Sequence, residues 1–200
     1  MWVPQGMSPG ADGLSVLAFA SRSAWEQWLQ DQHAASPGVW LKLAKKGADV
    51  QTLSYEEALL GALAHGWIDG QKGALDEMYW AQRFTPRKPG SRWSKQNCDR
   101  ALALIASEGM APAGLRQVEA ARADGRWDRA YDGQRTATVP DDLRAALAAE
   151  PAAEAFFATL NSVNRYAVLY RINTVPTPAA RERRIQKYVA MLAAGQKIYP

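Results

Sequence analysis

Cysteine and histidine are scarce in this chain, and each scarcity excludes a class of site. The 200 residues include 1 cysteine, Cys98, so neither a disulfide within the chain nor a cysteine-based zinc site can form. The only imidazoles belong to His33 and His65, which do not stand in an HExxH pair, and this leaves carboxylates as the source of any metal site. We therefore expect no bound metal ion and no cofactor.

Targeting signals and catalytic signatures are also missing from the sequence. Residues 1–13 have no basic start and no apolar run of signal-peptide length, and no segment approaches the roughly 20 apolar residues that span a bilayer. The chain contains no P-loop, no GxGxxG turn after a strand and no GxSxG elbow. The missing targeting and membrane segments predict a cytoplasmic protein that does not insert into membranes. No recognisable motif supports an enzymatic activity.

The patterning that is present predicts an α+β fold. Apolar and polar positions alternate from Val39, and an aromatic-rich run ends at Phe84, which is typical of strands, with a shorter strand over residues 67–69. Ser-x-x-Glu capping boxes at Ser23 and Ser54 predict flanking helices, and the pattern after Ser91 is helical. We expect a small antiparallel sheet flanked by helices, followed by a helical C-terminal module.

Composition predicts four segments along the chain. The start is rich in glycine and proline, and all 8 tryptophans lie at or before Trp127, which places the aromatic core in the first part. The residues just after Gly125 are polar and only weakly periodic, as in a linker. The predicted organisation is a flexible tail over residues 1–14, an α+β core domain over 15–125, a linker over 126–140 and a helical module over 141–200.

Charge is distributed unevenly along the chain, whose formal net charge is +4. Residues 72–100 carry 7 Lys/Arg against 3 Asp/Glu, and residues 165–200 carry 7 against 1. Such blocks attract anions, or they simply form a solvated surface. Because cations early in a helix oppose its dipole, the arginines around Arg181 are predicted to have anionic partners, either Asp141 or Asp142 within the chain or a nucleic acid.

The segment from Tyr79 to Lys95 combines basic and aromatic residues. No acidic residue occurs between Arg83 and Lys95, and Arg87 and Trp93 lie in this stretch. Guanidinium groups bind phosphate or carboxylate oxygens in pairs, and neighbouring rings stack on planar ligands. The segment predicts a surface for an anionic small molecule, an acidic protein partner or a nucleic acid. The alternative is that its rings pack the sheet and its cations form a solvated loop.

Other residues extend this candidate surface. Lys42 and Lys45 would join it if their strand lies beside Arg83, or they would protect an edge strand. Asp69 is either a general base or part of an Asp-Gly turn, and the N-terminus of the helix after Ser94 either holds an anion or is merely capped by that serine. No catalytic residue is assigned; the candidate ligand-binding residues are Lys42, Lys45, Trp67, Asp69, Arg83, Arg87, Trp93, Ser94 and Asn97.

Several short motifs resemble one known family from about Phe19 to the C-terminal region. They are Ser36-Pro37-Gly38-Val39-Trp40-Leu41, Lys45-Lys46, Gly66-Trp67-Ile68-Asp69-Gly70, Arg83-Phe84-Thr85-Pro86-Arg87, Trp93-Ser94 with Asn97, Gly109-Met110, Phe156, Leu160-Asn161-Ser162, Arg181 and Arg184-Ile185. In their order and spacing these motifs resemble the YdeI/OmpD-associated proteins. The resemblance implies a stress-related or bacteriocin-protection role, and it implies no catalytic residues.

Three functional hypotheses follow from the sequence. The first is a non-catalytic intracellular binding protein for an anionic ligand or an acidic partner. The second is a nucleic-acid-binding protein that uses both basic blocks. The third is an enzyme on a small anionic substrate, with Asp69 or His65 as the proton carrier, which requires a pocket that joins Asp69 to Arg83. The sequence predicts no particular oligomeric state.

Overall fold

The computed structural model describes residues 8–175 and 177–200, which group into two units. The first unit comprises the described residues up to Ser91 together with Asn97–Asp128, and the second comprises Arg92–Gln96 and Arg129–Pro200. The first unit contains the sheet, and four helices make up most of the second. The predicted α+β fold is confirmed.

The strands and the first four helices occupy residues up to 123. The helix α3 begins with two residues that group with the second unit and continues in the first. The elements are β1 (Val16–Leu17), α1 (Arg22–Gln32), β2 (Val39–Ala44), α2 (Tyr55–Ala64), β3 (Trp67–Ala74), β4 (Tyr79–Pro86), α3 (Lys95–Ala106) and α4 (Pro112–Ala123).

The sheet has the strand order β1-β2-β4-β3 and is mixed. The strand β4 pairs antiparallel with β2 and β3, which confirms the antiparallel arrangement of the three predicted strands. The strand β1, which was not predicted, pairs parallel with β2 and corrects the antiparallel sheet to a mixed one. The helix α1 is the cause, because a helical crossover returns the chain to the sheet in its original direction. The strand β3 is also longer than expected: it continues to Ala74 through an irregularity between Asp69 and Lys72, where the sequence predicted a turn.

Helices α1 and α2 cover one face of the sheet. The indole of Trp25 is fully buried, lies 5.9 Å from the ring of Phe84 and donates to the carbonyl oxygen of Ala58 at 3.0 Å. The capping box at Ser54 is confirmed. The N-cap of α1 is Ser21 and not Ser23, because the side chain of Ser21 accepts from the amide of Ala24.

The second unit packs its helices around an apolar core. These helices are α5 (Asp141–Ala148), α6 (Pro151–Thr159), α7 (Ser162–Asn173) and α8 (Pro178–Ala193). The apolar stripe of α8 is buried and consists of Ile185, Tyr188, Val189 and Leu192. Pro151 and Pro178 are the first residues of their helices, a position at which proline is tolerated, whereas Pro140 is the N-cap of α5. Within the described residues, no helix combines the length and the apolar character needed to cross a bilayer.

Candidate functional site

Arg83 and Trp40 face each other on the side of the sheet opposite α1 and α2. The register of β2 and β4 places them directly across from one another. The Nε of Arg83 donates to Asp12 Oδ2 at 2.8 Å, and the indole of Trp40 donates to Asp12 Oδ1 at 2.9 Å. Burial opposes ionisation of Asp12, but the hydrogen bonds from Arg83 and Trp40 outweigh it, and the pKa of this carboxyl falls below its usual value. The positive charge of Arg83 is thus neutralised within the chain.

Lys42 and Lys45 both contact Asp76, in the turn between β3 and β4. The Nζ of Lys42 lies 3.8 Å from Asp76 Oδ2 and 3.8 Å from the ring centroid of Tyr79. The Nζ of Lys45 donates to the carbonyl oxygen of Asp76 at 2.8 Å. The register of β2 and β4 pairs Lys42 with Ala81, which places Lys42 on the same face as Arg83. Both lysines bind this turn, and an acidic side chain already lies beside Lys42.

Three other candidate residues of the first unit are buried. Arg87 is 5% exposed and Trp67 is 1% exposed. The indole of Trp67 donates to the carbonyl oxygen of His33, and the ring lies edge-on to Trp25. Asn97 is 9% exposed and accepts from a guanidinium nitrogen of Arg100 at 3.4 Å. These side chains pack the interior of the unit.

Trp93 and Ser94 belong to the second unit, in a short connection with Tyr131. The amide of Tyr131 donates to the carbonyl oxygen of Trp93, and Ser94 and Tyr131 form an isolated parallel bridge. Trp93 is 2% exposed. Nearby, an Nη of Arg92 donates to the hydroxyl of Tyr170, and Lys95 lies 2.9 Å from a carboxylate oxygen of Asp132.

Asp69 and Arg83 lie on opposite faces of the sheet. Asp69 pairs with Phe84, whose ring contacts α1, and side chains directly across an antiparallel pair point to the same face. Arg83 is the neighbour of Phe84 in β4 and therefore points to the other face. The pocket that the enzyme hypothesis requires does not form. His65 and Asp69 have different partners: the Nδ1 of His65 donates to the carbonyl oxygen of Gly61 at 3.0 Å, and Asp69 accepts from the hydroxyl of Tyr55.

The side chain of Asp69 belongs instead to a cluster at the start of α2. The hydroxyl of Tyr55 donates to Asp69 Oδ2 at 2.9 Å. Burial and then the negative charge of Asp69 raise the pKa of Tyr55. The ring centroids of Tyr55 and Trp80 are 6.0 Å apart, and the Nζ of Lys72 lies 4.9 Å from the Trp80 ring and 5.6 Å from the Tyr55 ring. We call Tyr55 and Trp80 the aromatic pair.

Beside the aromatic pair, Arg100 and Glu56 form a two-bond ion pair. The Nε and Nη2 atoms of Arg100 donate to the two carboxylate oxygens of Glu56 at 2.7 and 2.9 Å. These bonds raise the pKa of Arg100. The sequence placed Trp80 in the predicted surface from Tyr79 to Lys95, but it pointed to no role for Tyr55, Lys72 or Arg100. The only available signal was the aromatic density of β4, because the partners lie on three other elements.

The helix α8 carries four cations between residues 181 and 187. Arg181 binds Asp142 through two hydrogen bonds of 2.6 and 3.0 Å, which confirms the predicted pairing within the chain. We call Arg183, Arg184 and Lys187 the basic face of α8. Arg183 and Lys187 are exposed and Arg184 is partly exposed. Within the described part of the chain, none of these three residues forms an ion pair or a side-chain hydrogen bond.

Comparison with known proteins places family matches in both parts of the chain. Residues 17–117 match a family described as a domain of unknown function, DUF8412. Residues 136–195 match a family described as "Bacteriocin-protection, YdeI or OmpD-Associated". The first match contains the quoted motifs up to Gly109-Met110, and the second contains those from Phe156 onward.

No curated protein and no solved structure matches the chain. The DUF8412 match alone covers about half of the sequence. The chain therefore belongs to the DUF8412 family, and its residues 136–195 form a domain of the bacteriocin-protection, YdeI or OmpD-associated family.

Proposed function

We propose that this protein is a non-catalytic binding protein that recognises an acidic protein partner through the basic face of α8. The observation that carries the proposal is the contrast between two sets of cations. Arg83 and Lys42, on the sheet, each have a carboxylate partner. Arg183, Arg184 and Lys187 have none among the described residues, so their charge is available to a partner.

The electrostatic surroundings of α8 support this choice. Residues 165–200 contain 7 Lys/Arg and 1 acidic residue, Glu182. Arg181 forms an ion pair with Asp142, and this pair connects α8 with α5. Arg183, Arg184 and Lys187 follow on the same helix and have no ion-pair partner among the described residues. Because α8 is regular and packed against the core, the spacing of these three cations is fixed. Complementary charge of this kind increases the rate and the selectivity of association.

An acidic protein suits the basic face better than a nucleic acid does. Single-stranded nucleic acids are bound by cations together with aromatic rings that stack on bases. From residue 182 to the end of α8, the other exposed positions are Glu182, Gln186, Ala190 and Ala193, none of them aromatic. The one ring of the helix, Tyr188, is buried in the core. The face offers charge without a stacking surface. A nucleic acid is the alternative partner. The salt dependence of the binding affinity distinguishes it from an acidic protein, because affinity for a nucleic acid falls steeply as salt rises.

The biological role that we propose is protection under stress. The family matched over residues 136–195 is described by the words bacteriocin-protection, and this segment contains the whole basic face. We also propose that the protein acts in the cytoplasm, which suits a chain whose single cysteine is a buried free thiol. An anionic small molecule is the alternative ligand for the same basic face.

The test is a binding titration with poly-L-glutamate as the probe and a thymidine oligonucleotide as the comparison. The variant Arg183→Gln/Lys187→Gln removes two charges from the basic face. Arg135→Gln/Lys197→Gln is the matched control, since both residues are exposed cations of the same unit. We expect the first variant to weaken poly-L-glutamate binding about tenfold at low salt, because each exposed ion pair contributes up to about 1 kcal/mol, and the control to bind like the native chain.

Two results would contradict the proposal. Equal weakening in both variants would show that only net charge matters. Preference for the oligonucleotide, with an affinity that falls steeply as salt rises, would replace the acidic protein with a nucleic acid.

A further inference from the structure

We propose that the aromatic pair, together with Asp69, is a binding site for an organic cation that carries a methylated ammonium group, and that Lys72 occupies this site in the present structure. The inference uses residues of the first unit only and is independent of the function proposed for α8. Neither family description mentions a cation site.

The geometry is that of two rings around one cation. The planes of Tyr55 and Trp80 are inclined at 44°, with their centroids 6.0 Å apart. The Nζ of Lys72 lies within 5.6 Å of both centroids. An ammonium within about 6 Å of a ring centroid is attracted by the negative face of the ring. Lys72 therefore marks the position that a ligand cation would take.

The aromatic pair is held in place by bonds that do not involve Lys72. The hydroxyl of Tyr55 donates to Asp69 Oδ2, and Tyr55 is the first residue of α2, which the capping box of Ser54 and Glu57 stabilises. Trp80 lies in β4, paired with Leu43 on one side and Ala74 on the other. The rings would keep their arrangement after Lys72 has left.

Lys72 itself is weakly held. Lys72 is exposed, and within the described residues its ammonium takes part in no hydrogen bond and no ion pair. Lys42, on the other face, shows the contrast, because it has both a ring and the carboxylate of Asp76. A primary ammonium is also strongly hydrated, so water competes for it.

Charge favours a cation once Lys72 has moved away. Asp69, Arg100 and Glu56 act electrostatically on Tyr55, and the ammonium of Lys72 lies over both rings. The formal charges of these four described residues sum to zero. The two-bond ion pair with Glu56 neutralises the charge of Arg100. Without the Lys72 ammonium, the site retains the unbalanced negative charge of Asp69. A methylated ammonium is less hydrated than a primary one, and aromatic cages of this chemistry recognise quaternary ammonium groups.

The experiment titrates choline, with its neutral isostere 3,3-dimethylbutan-1-ol, against the isotopically labelled full chain. The readout is the indole N–H resonance of Trp80, assigned through its loss in Trp80→Phe. We expect choline to shift this resonance to saturation and the alcohol to leave it unchanged. Equal shifts with both compounds, or no shift with choline, would overturn the proposal.

Three variants test the roles of the individual residues. Lys72→Ala should tighten choline binding about two- to fivefold, the factor that corresponds to a cation–π contact at an exposed site. Asp69→Asn keeps an acceptor for Tyr55 but removes the negative charge, and it should weaken binding. Lys46→Ala removes an exposed lysine after β2 and should leave binding unchanged. A Lys72→Ala variant that binds choline no better than the Lys46→Ala variant would show that Lys72 does not occupy the site.

Discussion

Arg181 of α8 and Asp142 of α5 lie 39 positions apart in the chain and meet through two hydrogen bonds of 2.6 and 3.0 Å. The hydrogen bond from Arg181 lowers the pKa of Asp142 below its ordinary value of 3.8. The contact joins two helices of the second unit. The contact also neutralises the charge of Arg181, in contrast to the cations of the basic face that follow it on α8.

The first prediction concerns the pH dependence of this pair. A carboxyl whose pKa is lowered by folding contributes its full stability above its unfolded pKa and loses it as the pH falls through the folded pKa. We expect Asp142→Asn to lower the free energy of unfolding by roughly 0.5–1 kcal/mol at pH 7, since the pair is partly exposed. Thermal unfolding from pH 2 to pH 7 should show this difference shrinking below the ordinary pKa of 3.8. A difference that is constant over the whole range would contradict the assignment.

The second prediction concerns Arg83, which the sequence suggested as a ligand-binding residue. We expect Arg83→Gln to destabilise the first unit by roughly 1–2 kcal/mol, because the mostly buried carboxylate of Asp12 loses a charged partner. The pKa of Asp12 should rise at the same time. Lys88→Gln, an exposed cation of the same segment, is the control and should change stability by less than about 0.5 kcal/mol. Denaturant unfolding compares the two, and equal stability of both variants would show that the Asp12 contact contributes nothing.

The third prediction concerns the packing of α4 against α2. A Cβ added at Gly114 would collide with the carbonyl oxygen of Ala64 and the sulfur of Met110. Alanine is normally better than glycine in a helix, but here we expect Gly114→Ala to cost about 1–3 kcal/mol through overpacking. At Gly109 the nearest atoms to an added Cβ are 3.4 and 3.5 Å away, so Gly109→Ala should be nearly neutral. Chemical denaturation measures both, and a Gly114→Ala variant as stable as the native chain would refute the close approach.

The fourth prediction concerns the single cysteine. Cys98 is 7% exposed, and burial raises the pKa of its thiol to about 11, even though the nearby Arg87 acts in the opposite direction. Because the thiolate is the reactive form, we expect iodoacetamide to modify the folded chain at pH 8 far more slowly than the chain unfolded in guanidinium chloride. Mass spectrometry over time would show this difference. Similar rates in the two conditions would mean that Cys98 is accessible in the native state.

Local signals in the sequence predicted the helices and strands well. The capping box at Ser54 depends on residues within one turn, and it is confirmed. The Ser23 cap was wrong because Ser21 and Ser23 both suit the role, and sequence does not say which one adopts the extended backbone. The parallel pairing of β1 was missed because this strand has only two residues and no alternating pattern.

The candidate site was harder to predict because its contacts are long-range. The motif around Arg83 has the composition of an anion-binding surface, yet its partner Asp12 lies 71 positions away. The proximity of Tyr55 to Trp80 likewise depends on how α2 packs over the sheet. A partner within the chain, Asp141 or Asp142, was predicted for the arginines around Arg181 because cations early in a helix oppose its dipole, and the structure pairs Arg181 with Asp142.

By itself, the sequence determined the α+β class, the positions of most helices, the single unpaired thiol and the basic character of the C-terminal region, because propensity, capping and charge act over short stretches of chain. Only the tertiary structure decided which charges remain available. It neutralised Arg83 with Asp12, placed Asp69 and Arg83 on opposite faces and left the basic face of α8 without a described partner. The physical reason is that the interaction energy of a charge depends on the groups within a few ångströms of it, and sheet register and helix packing bring those groups from distant parts of the chain.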